Sequence, residues 1–404
     1  MANMKIWNNR ATFLCTLLSF AIVFHQTNGY DSRDSHGNIT IRWDVVSPTP
    51  DGYVAVVNIT NYQKYRKVDA PGWKLSWTWP HNEFIWATLG ARVGDEGNCN
   101  RFKKSRSAPA TCSKSPAIFD LTAEVPQSEK IDGCCKGGVL LSRLQGYSES
   151  TTAFQIAVGG AGTKNTTWQV PTSYTFRAPR GEYSCSEARV VAPTRFITPD
   201  LRRVTQAYKT WKVECSYKPP SQNRVPLCCV SLSSDHGMNT SCPTCSCSCQ
   251  NQTHSCSTKN HDRLVSKIEC TDHMCPVNIN WHVMSKVKEN HERKIRVTIS
   301  NLNYARNYPD WIVLVEHPAL GYSTWVIHAN HRFLSSSNYR KMEVVWGRKG
   351  HNQVLAPFGT NGSTTNFVLV FKGRARHGTA REWRSPEAIF FNGDRCVSPL
   401  PTQF

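Results

Sequence analysis

Asn38-Ile-Thr-Ile-Arg-Trp-Asp-Val45 places Ile39, Ile41, Trp43 and Val45 on one parity and Thr40, Arg42 and Asp44 on the other. A period of two marks a strand with one covered face. Pro48, Pro50, Asp51 and Gly52 then interrupt the chain, and Tyr53, Ala55, Val57 and Ile59 resume the alternation. Two such segments flanking a Pro/Asp/Gly turn read as antiparallel neighbours. Further strands are expected at 73–79, 83–93, 152–158, 166–170, 173–176 and 209–216. No stretch sustains a helical period, so this half of the chain is predicted to be an antiparallel β-sandwich.

Working outward, Pro219-Pro220 opens a stretch crowded with cysteine and poor in large apolar residues. Alternation returns with Val277, Ile279, Trp281 and Val283, then Ile295, Val297 and Ile299, and at 311–315, 367–371 and 389–391. The stretch 331–365 yields no placeable strands. The fold class is all-β, with two β-sandwich-like domains joined by a Cys-rich, disulfide-stapled segment. The expected bounds are 30–218 for the first β-sandwich domain, 219–276 for the connector and 277–404 for the C-terminal domain.

Ahead of them, Lys5 and Arg10 precede an apolar run at 11–24, and Thr27 and Gly29 precede Tyr30. A basic start, a short apolar core and small residues at the cut describe a secretory signal peptide at 1–29. The run has 14 residues, short of the roughly 20 that span a bilayer. Removing the leader with its Cys15 leaves sixteen of the seventeen cysteines. They are Cys99, Cys112, Cys134, Cys135, Cys185, Cys215, Cys228, Cys229, Cys242, Cys245, Cys247, Cys249, Cys256, Cys270, Cys275 and Cys396. An even count in an oxidising compartment allows complete pairing. The adjacent pairs Cys134-Cys135 and Cys228-Cys229 are expected to bond to separate partners. The C-x-x-C at Cys242 and Cys245 has zinc-ligand spacing, but the crowding around it favours disulfides, and no metal or other cofactor is expected.

Asn38, Asn58, Asn165, Asn239, Asn251 and Asn361 each head an Asn-X-Ser/Thr sequon, usable on a secretory route. The formal charge is +19, of which the leader supplies two positive charges. Outside the cytoplasm such a charge points to acidic polysaccharide or lipid headgroups, not to nucleic acid, if it does more than keep the chain soluble. The chain closes on Cys396-Val-Ser-Pro-Leu-Pro-Thr-Gln-Phe404 without the apolar tail of a lipid-anchor signal. Membrane attachment is therefore expected only of a form that carries such a tail.

One strand stands out as a candidate site. Trp73, Leu75, Trp77 and Trp79 repeat every second position, so their side chains project together about 6.5–7 Å apart. Indoles in a row can stack on the apolar faces of sugar rings, and they can equally fill a core. Trp43 and Trp86 read as core. Catalysis finds no motif: there is no G-x-S-x-G and no H-E-x-x-H, and a disulfide at Cys275 would remove the thiol beside His273. Asp44, Glu83 and Asp310 lie near strands, but nothing pairs them for glycoside cleavage. The basic stretch Lys372-Gly-Arg374-Ala-Arg376-His377 to Arg384 reads as a solvated loop.

The order of short motifs resembles the plant COBRA-like family. The matching blocks include Gly37 to Asp44, Thr49-Pro-Asp-Gly-Tyr-Val-Ala55, Pro71-Gly-Trp73 through Trp79 and Cys134-Cys-Lys-Gly-Gly138. They continue through Arg202-Arg-Val-Thr-Gln206, Cys228-Cys-Val-Ser-Leu-Ser-Ser234, Cys242-Pro-Thr-Cys245, His273-Met-Cys-Pro276, Trp281-His282 and Phe391-Asn-Gly-Asp394. The resemblance implies an extracellular, usually glycosylphosphatidylinositol-anchored protein with a cellulose-binding-like first domain. It also implies a non-catalytic role in cellulose deposition, microfibril orientation and directional cell expansion. Cellulose or another β-glucan becomes the expected partner, with Trp73, Trp77 and Trp79 as the contacts. The alternatives are an adaptor that binds acidic wall polymers or recruits the synthetic machinery, and, behind it, a wall-polysaccharide hydrolase. Three departures from the family pattern are Ser113 after Cys112, where a second cysteine is usual, the stretch 331–365, and the missing anchor tail, so the family's membrane attachment is not carried over to this chain.

Overall fold

The computed structural model describes residues 31–103, 107–164, 166–197, 200–219, 226–235, 239–240, 242, 276–284, 293–335, 340–371 and 385–398. The expected leader, the sequons at Asn165 and Asn251, the basic stretch 372–384 and Cys245, Cys247, Cys249, Cys256, Cys270 and Cys275 lie outside them.

The opening alternation forms β1 (Ile39–Thr49) and β2 (Gly52–Asn61), which pair antiparallel from Ile39↔Asn61 to Thr49↔Gly52. The first domain adds β3 (Lys74–Thr78), β4 (Phe84–Leu89), β5 (Ala91–Val93), β6 (Ala117–Asp120), β7 (Thr151–Gly159), β8 (Thr172–Ala178), β9 (Gly181–Cys185), β10 (Arg189–Val191), β11 (Arg195–Ile197), β12 (Val204–Gln206) and β13 (Lys209–Lys218). All but β11 and β12 join one antiparallel sheet, ordered β4-β7-β2-β1-β13-β9-β8-β3-β6-β5, with β10 also on β13. The sheet folds over on itself. Although β3 lies four strands from β1 in that order, Trp43 and Trp77 meet edge to face with centroids 5.0 Å apart. The predicted strand at 166–170 is instead a loop, and its Trp168 is buried there with Nε1 donating to the Gly162 carbonyl at 2.9 Å.

The second domain begins earlier than expected. Its strands are β14 (Cys228–Ser234), β15 (Asn239–Thr240), β16 (Val277–Val283), β17 (Arg293–Asn301), β18 (Tyr308–Pro309), β19 (Ile312–Glu316), β20 (Thr324–Ile327), β21 (Asn330–Ser335), β22 (Lys341–Trp346), β23 (Val354–Leu355), β24 (Thr364–Phe371), β25 (Ala388–Phe391) and β26 (Asp394–Arg395). β14, drawn from the stretch assigned to the connector, pairs parallel with β16 and becomes an inner strand of a six-stranded sheet, β15-β14-β16-β17-β24-β20. A five-stranded sheet, β21-β22-β19-β25-β26, packs over it. The stretch 331–365 therefore holds β22, β23 and most of β21.

Why residues 312–315 of β19 read as an unbroken apolar run, ahead of Glu316, follows from what covers the strand. All five of its residues are buried. Val313 and Val315 face the six-stranded sheet, while Ile312 and Leu314 pack with Met342, Val344, Phe390 and Tyr65 of the first domain. A sheet covered on both faces loses its polar parity. Ion pairs frame this domain contact: Arg33 Nε meets Glu316 at 2.7 Å, and Arg180 meets Asp394. Gln145 Nε2 donates to the Asp310 carbonyl at 2.8 Å.

Five disulfides are present among the described residues: Cys99–Cys112, Cys134–Cys135, Cys185–Cys215, Cys228–Cys396 and Cys229–Cys242. Cys228 and Cys229 take separate partners, because successive strand residues point to opposite faces. Cys134 and Cys135 do not; they bond to each other, correcting the expectation.

Candidate functional site

The indole strip on β3 has the predicted alternation and the opposite environment. Trp73, Trp77 and Trp79 are 1%, 0% and 1% exposed. Lys74, Ser76 and Thr78 form the half-exposed parity. Trp77 contacts Trp43, Trp79 and Tyr174 with centroids 5.0, 5.4 and 6.2 Å apart, and Trp73 stacks on Phe154 at 6.0 Å. These rings cannot meet a polymer where they lie. The physical reason is area: each indole buries roughly 150–250 Å², and facing sheets bring the largest side chains together.

The neighbouring motifs also serve the scaffold. Trp73 N donates to the Gly138 carbonyl at 3.1 Å, and a Cβ on Gly138 would come within 2.6 Å of Gly72 Cα, so both glycines are needed for this approach. Asp120 caps the loop, accepting the backbone N–H groups of Cys135, Lys136 and Gly138 at 3.2, 3.0 and 2.9 Å. Asp44 accepts hydroxyl hydrogen bonds from Thr194 and Thr210 at 2.5 and 2.7 Å, and Glu83 accepts His81 N at 2.8 Å. Asp310 meets the first domain through its carbonyl.

Eight of the described tryptophans are under 2% exposed; Trp86 and Trp346 are half-buried, and Trp325 is 45% exposed. Trp325 sits on the edge strand β20 with Ile327 on the same parity, 41% exposed. Thr324 and Val326 point inward. The register then carries this outer parity across the sheet, with Trp325 itself opposite Val370, which is 1% exposed, and Val370 opposite Lys294. Ile327 pairs with Val368, Val368 with Arg296, Arg296 with His282 and His282 with Ser233. The adjacent row is Asn366, Thr298, Asn280 and Ser231, and the next is Thr364, Ser300 and Asn278. Five strand spacings of about 4.8 Å make the sheet about 24 Å wide.

Those on β14 and β16 are hydrogen-bonded to one another. Ser231 Oγ donates to Asn278 Oδ1 at 3.1 Å, Asn280 Nδ2 donates to Ser231 Oγ at 3.0 Å, and Ser233 Oγ donates to Asn280 Oδ1 at 3.1 Å. The His282 ring spans Ser233 Oγ at 2.9 Å and Asp235 Oδ1 at 2.7 Å, which fixes its orientation. The result is an indole at one edge of a field of amides, hydroxyls and one exposed guanidinium. Amide and hydroxyl groups both donate and accept, matching an array of sugar hydroxyls. Side chains already held in place lose little freedom on binding.

Behind the face, two titratable groups lie buried. Burial pushes Glu343 up to about 7 even though His331 Nδ1 lies 2.7 Å from its Oε1, and burial pushes His317 down to about 4. Among the described residues no group of three His, Cys, Asp or Glu is arranged to hold a metal ion, and no helix is long and apolar enough to cross a membrane.

Sequence reasoning missed this surface although it had placed β16, β17 and β24. Their polar parities, such as Asn278, Asn280 and His282, are legible in the alternation, but no local signal marks them as a site. Nothing local marked Thr324-Trp-Val-Ile327 as a strand, since one pairing partner, β24, makes it one.

Two sequence profiles match the chain: the COBRA N-terminal domain over residues 53–218 and the COBRA family C-terminal domain over residues 251–404. The rice (Oryza sativa subsp. japonica) COBRA-like protein 1 is 40% identical over 400 residues, covering 95% of this chain and 89% of that protein. Protein COBRA of Arabidopsis thaliana is 37% identical over 430 residues, covering 99% and 93%. COBRA-like protein 2 of Arabidopsis thaliana is 39% identical over 405 residues, covering 97% and 90%.

Proposed function

The chain belongs to the COBRA family, and from that premise we propose that it binds cellulose or a related β-glucan through the outer face of its six-stranded sheet, promoting microfibril deposition without cleaving bonds. A cell-wall, cellulose-related role goes with the family, and the disulfides suit an extracellular setting. The observation that carries the reading is the coincidence of Trp325, at 45% exposure, with rows of Asn, Ser and Thr on one rigid sheet. An indole supplies a flat apolar patch for a sugar face, while the amides and hydroxyls register its rim.

The first domain's outer face is less suited. Asn58 stands at its middle, on β2 opposite Arg42 and Ala153, whereas the sequon of the six-stranded sheet, Asn239 opposite Ser233, lies on the edge strand β15, across the sheet from Trp325 on β20. Pull-down on crystalline and amorphous cellulose tests the proposal. Trp325→Ala and the double change Asn280→Ala with Asn366→Ala should each weaken retention while the protein remains folded. Unchanged retention in both variants would refute it. The formal charge of +19 favours a second reading, an adaptor for acidic wall polymers. That predicts retention on polygalacturonate that collapses with salt, and none on cellulose.

A further inference from the structure

The strands β11 and β12 stand apart from the first domain's sheet and pair only with each other among the described strands. Every described residue from Arg195 to Gln206 is exposed except the half-buried Phe196. Three of them are large and aliphatic: Ile197, Leu201 and Val204, at 59%, 78% and 61% exposure. Ile197 and Val204 are directly opposed across the ladder and share a face, and Leu201 follows β11 toward the turn. Such side chains are usually covered, and a lone two-stranded hairpin is marginal in water. Interleaved with them are Arg195, Arg202 and Arg203 against one acid, Asp200, for a local charge of +2. Arg202 is 85% exposed even with Asp200 at 4.0 Å.

The base of the hairpin is firm. Ala207 N donates to the Thr194 carbonyl at 2.9 Å, and the Thr194 hydroxyl is held by Asp44 inside the domain. The base of the finger is thereby tied to the domain.

We propose that this hairpin is a membrane-contacting finger that seats the first domain on an anionic phospholipid bilayer. The chemistry selects that partner. Aliphatic side chains gain by entering the boundary between headgroups and acyl chains, while arginine stems reach back to pair with lipid phosphates. An acidic polysaccharide would satisfy the arginines and offer the three aliphatic groups nothing.

Flotation of the full chain with phosphatidylcholine vesicles, with and without phosphatidylserine, tests this. The parent should float with the mixed vesicles and progressively less as salt rises. Leu201→Asp should lower the partition at least about tenfold, by removing an inserted group and adding charge. Arg202→Gln with Arg203→Gln should lower it roughly 30-fold at low salt, from about a factor of five for each charge near an anionic surface. Both variants should keep the parent's thermal midpoint and its cellulose retention, because neither touches the core or the six-stranded sheet. A parent that ignores both vesicle types, or variants that float like the parent, would overturn the proposal. Loss of polygalacturonate retention in the arginine variant, with no vesicle binding by the parent, would assign the finger to acidic polysaccharide instead.

Discussion

Replacing Trp77 and Trp325 singly by alanine separates core from contact. Trp77 is 0% exposed and wedged among Trp43, Trp79 and Tyr174. Burying an indole removes roughly 200 Å² from water, or about 5 kcal/mol at ~25 cal/mol per Å². That is an upper figure because the unfolded chain already hides some area. Measured large-to-small changes of this kind cost about 3–5 kcal/mol, so Trp77→Ala should lose about 4 kcal/mol. Domains of ordinary stability hold about 5–15 kcal/mol, so the variant would be much weakened. Trp325, at 45% exposure, hides only about 110 Å² and should cost about 2–3 kcal/mol of stability at most. Its loss should instead weaken glucan retention about 5–30-fold, the equivalent of one stacking contact of about 1–2 kcal/mol. Urea unfolding followed by tryptophan fluorescence gives the first quantity, and depletion isotherms on amorphous cellulose, run on folded protein, give the second. A Trp77→Ala protein as stable as the parent and selectively deaf to cellulose would refute the core assignment. It would return the β3 strip to the surface.

The buried pair of titratable groups makes a prediction about pH. Glu343 rises from 4.5 to about 7, so its contribution is complete below pH 4.5 and is lost as pH rises through 7; up to about 3 kcal/mol is involved. His317 falls from 6.5 to about 4, so its contribution is complete above pH 6.5 and is lost as pH falls through 4. The two oppose each other between about pH 4.5 and 6.5, and Glu343→Gln should leave a stability that climbs with pH by up to about 1.4 kcal/mol per unit there; a slope equal to the parent's would contradict the burial of Glu343. Cys228–Cys396 closes a sequence separation of 168, and replacing both residues by serine should cost about 5 kcal/mol in the chain-entropy estimate, seen as a lower denaturant midpoint. The Cys99–Cys112 bridge, with a separation of 13, should cost about 3 kcal/mol, and an equal loss would discount the entropic account. At the domain contact, Glu316→Gln leaves Arg33 and Arg340 without their carboxylate and should cost about 3 kcal/mol, and a shift below about 0.5 kcal/mol would mean the pairs are solvated.

Local periodicity carried much of the architecture. The alternation around Ile39–Val45 and Tyr53–Ile59 named β1 and β2, and the all-β class followed from short alternating segments and the absence of a helical period. It also identified which parity of β3 is aromatic. What it could not state is which side of β3 faces water. Alternation gives two faces, and only the folding over of the sheet, four strands away at Trp43, decides that the indoles lie inside. β14 and β20 were invisible for a related reason. A strand in Cys228–Ser234 exists because β16, some fifty residues on, pairs with it in parallel, and Trp325 joins a binding-like face only once β24 sets its register. The apolar run of β19 was legible as a strand, but its burial on both faces depends on Tyr65 arriving from the other domain. Chemistry along the chain determined the strands and the likeness to the family. Long-range pairing and packing, which no local window contains, decided which side chains remain for a ligand.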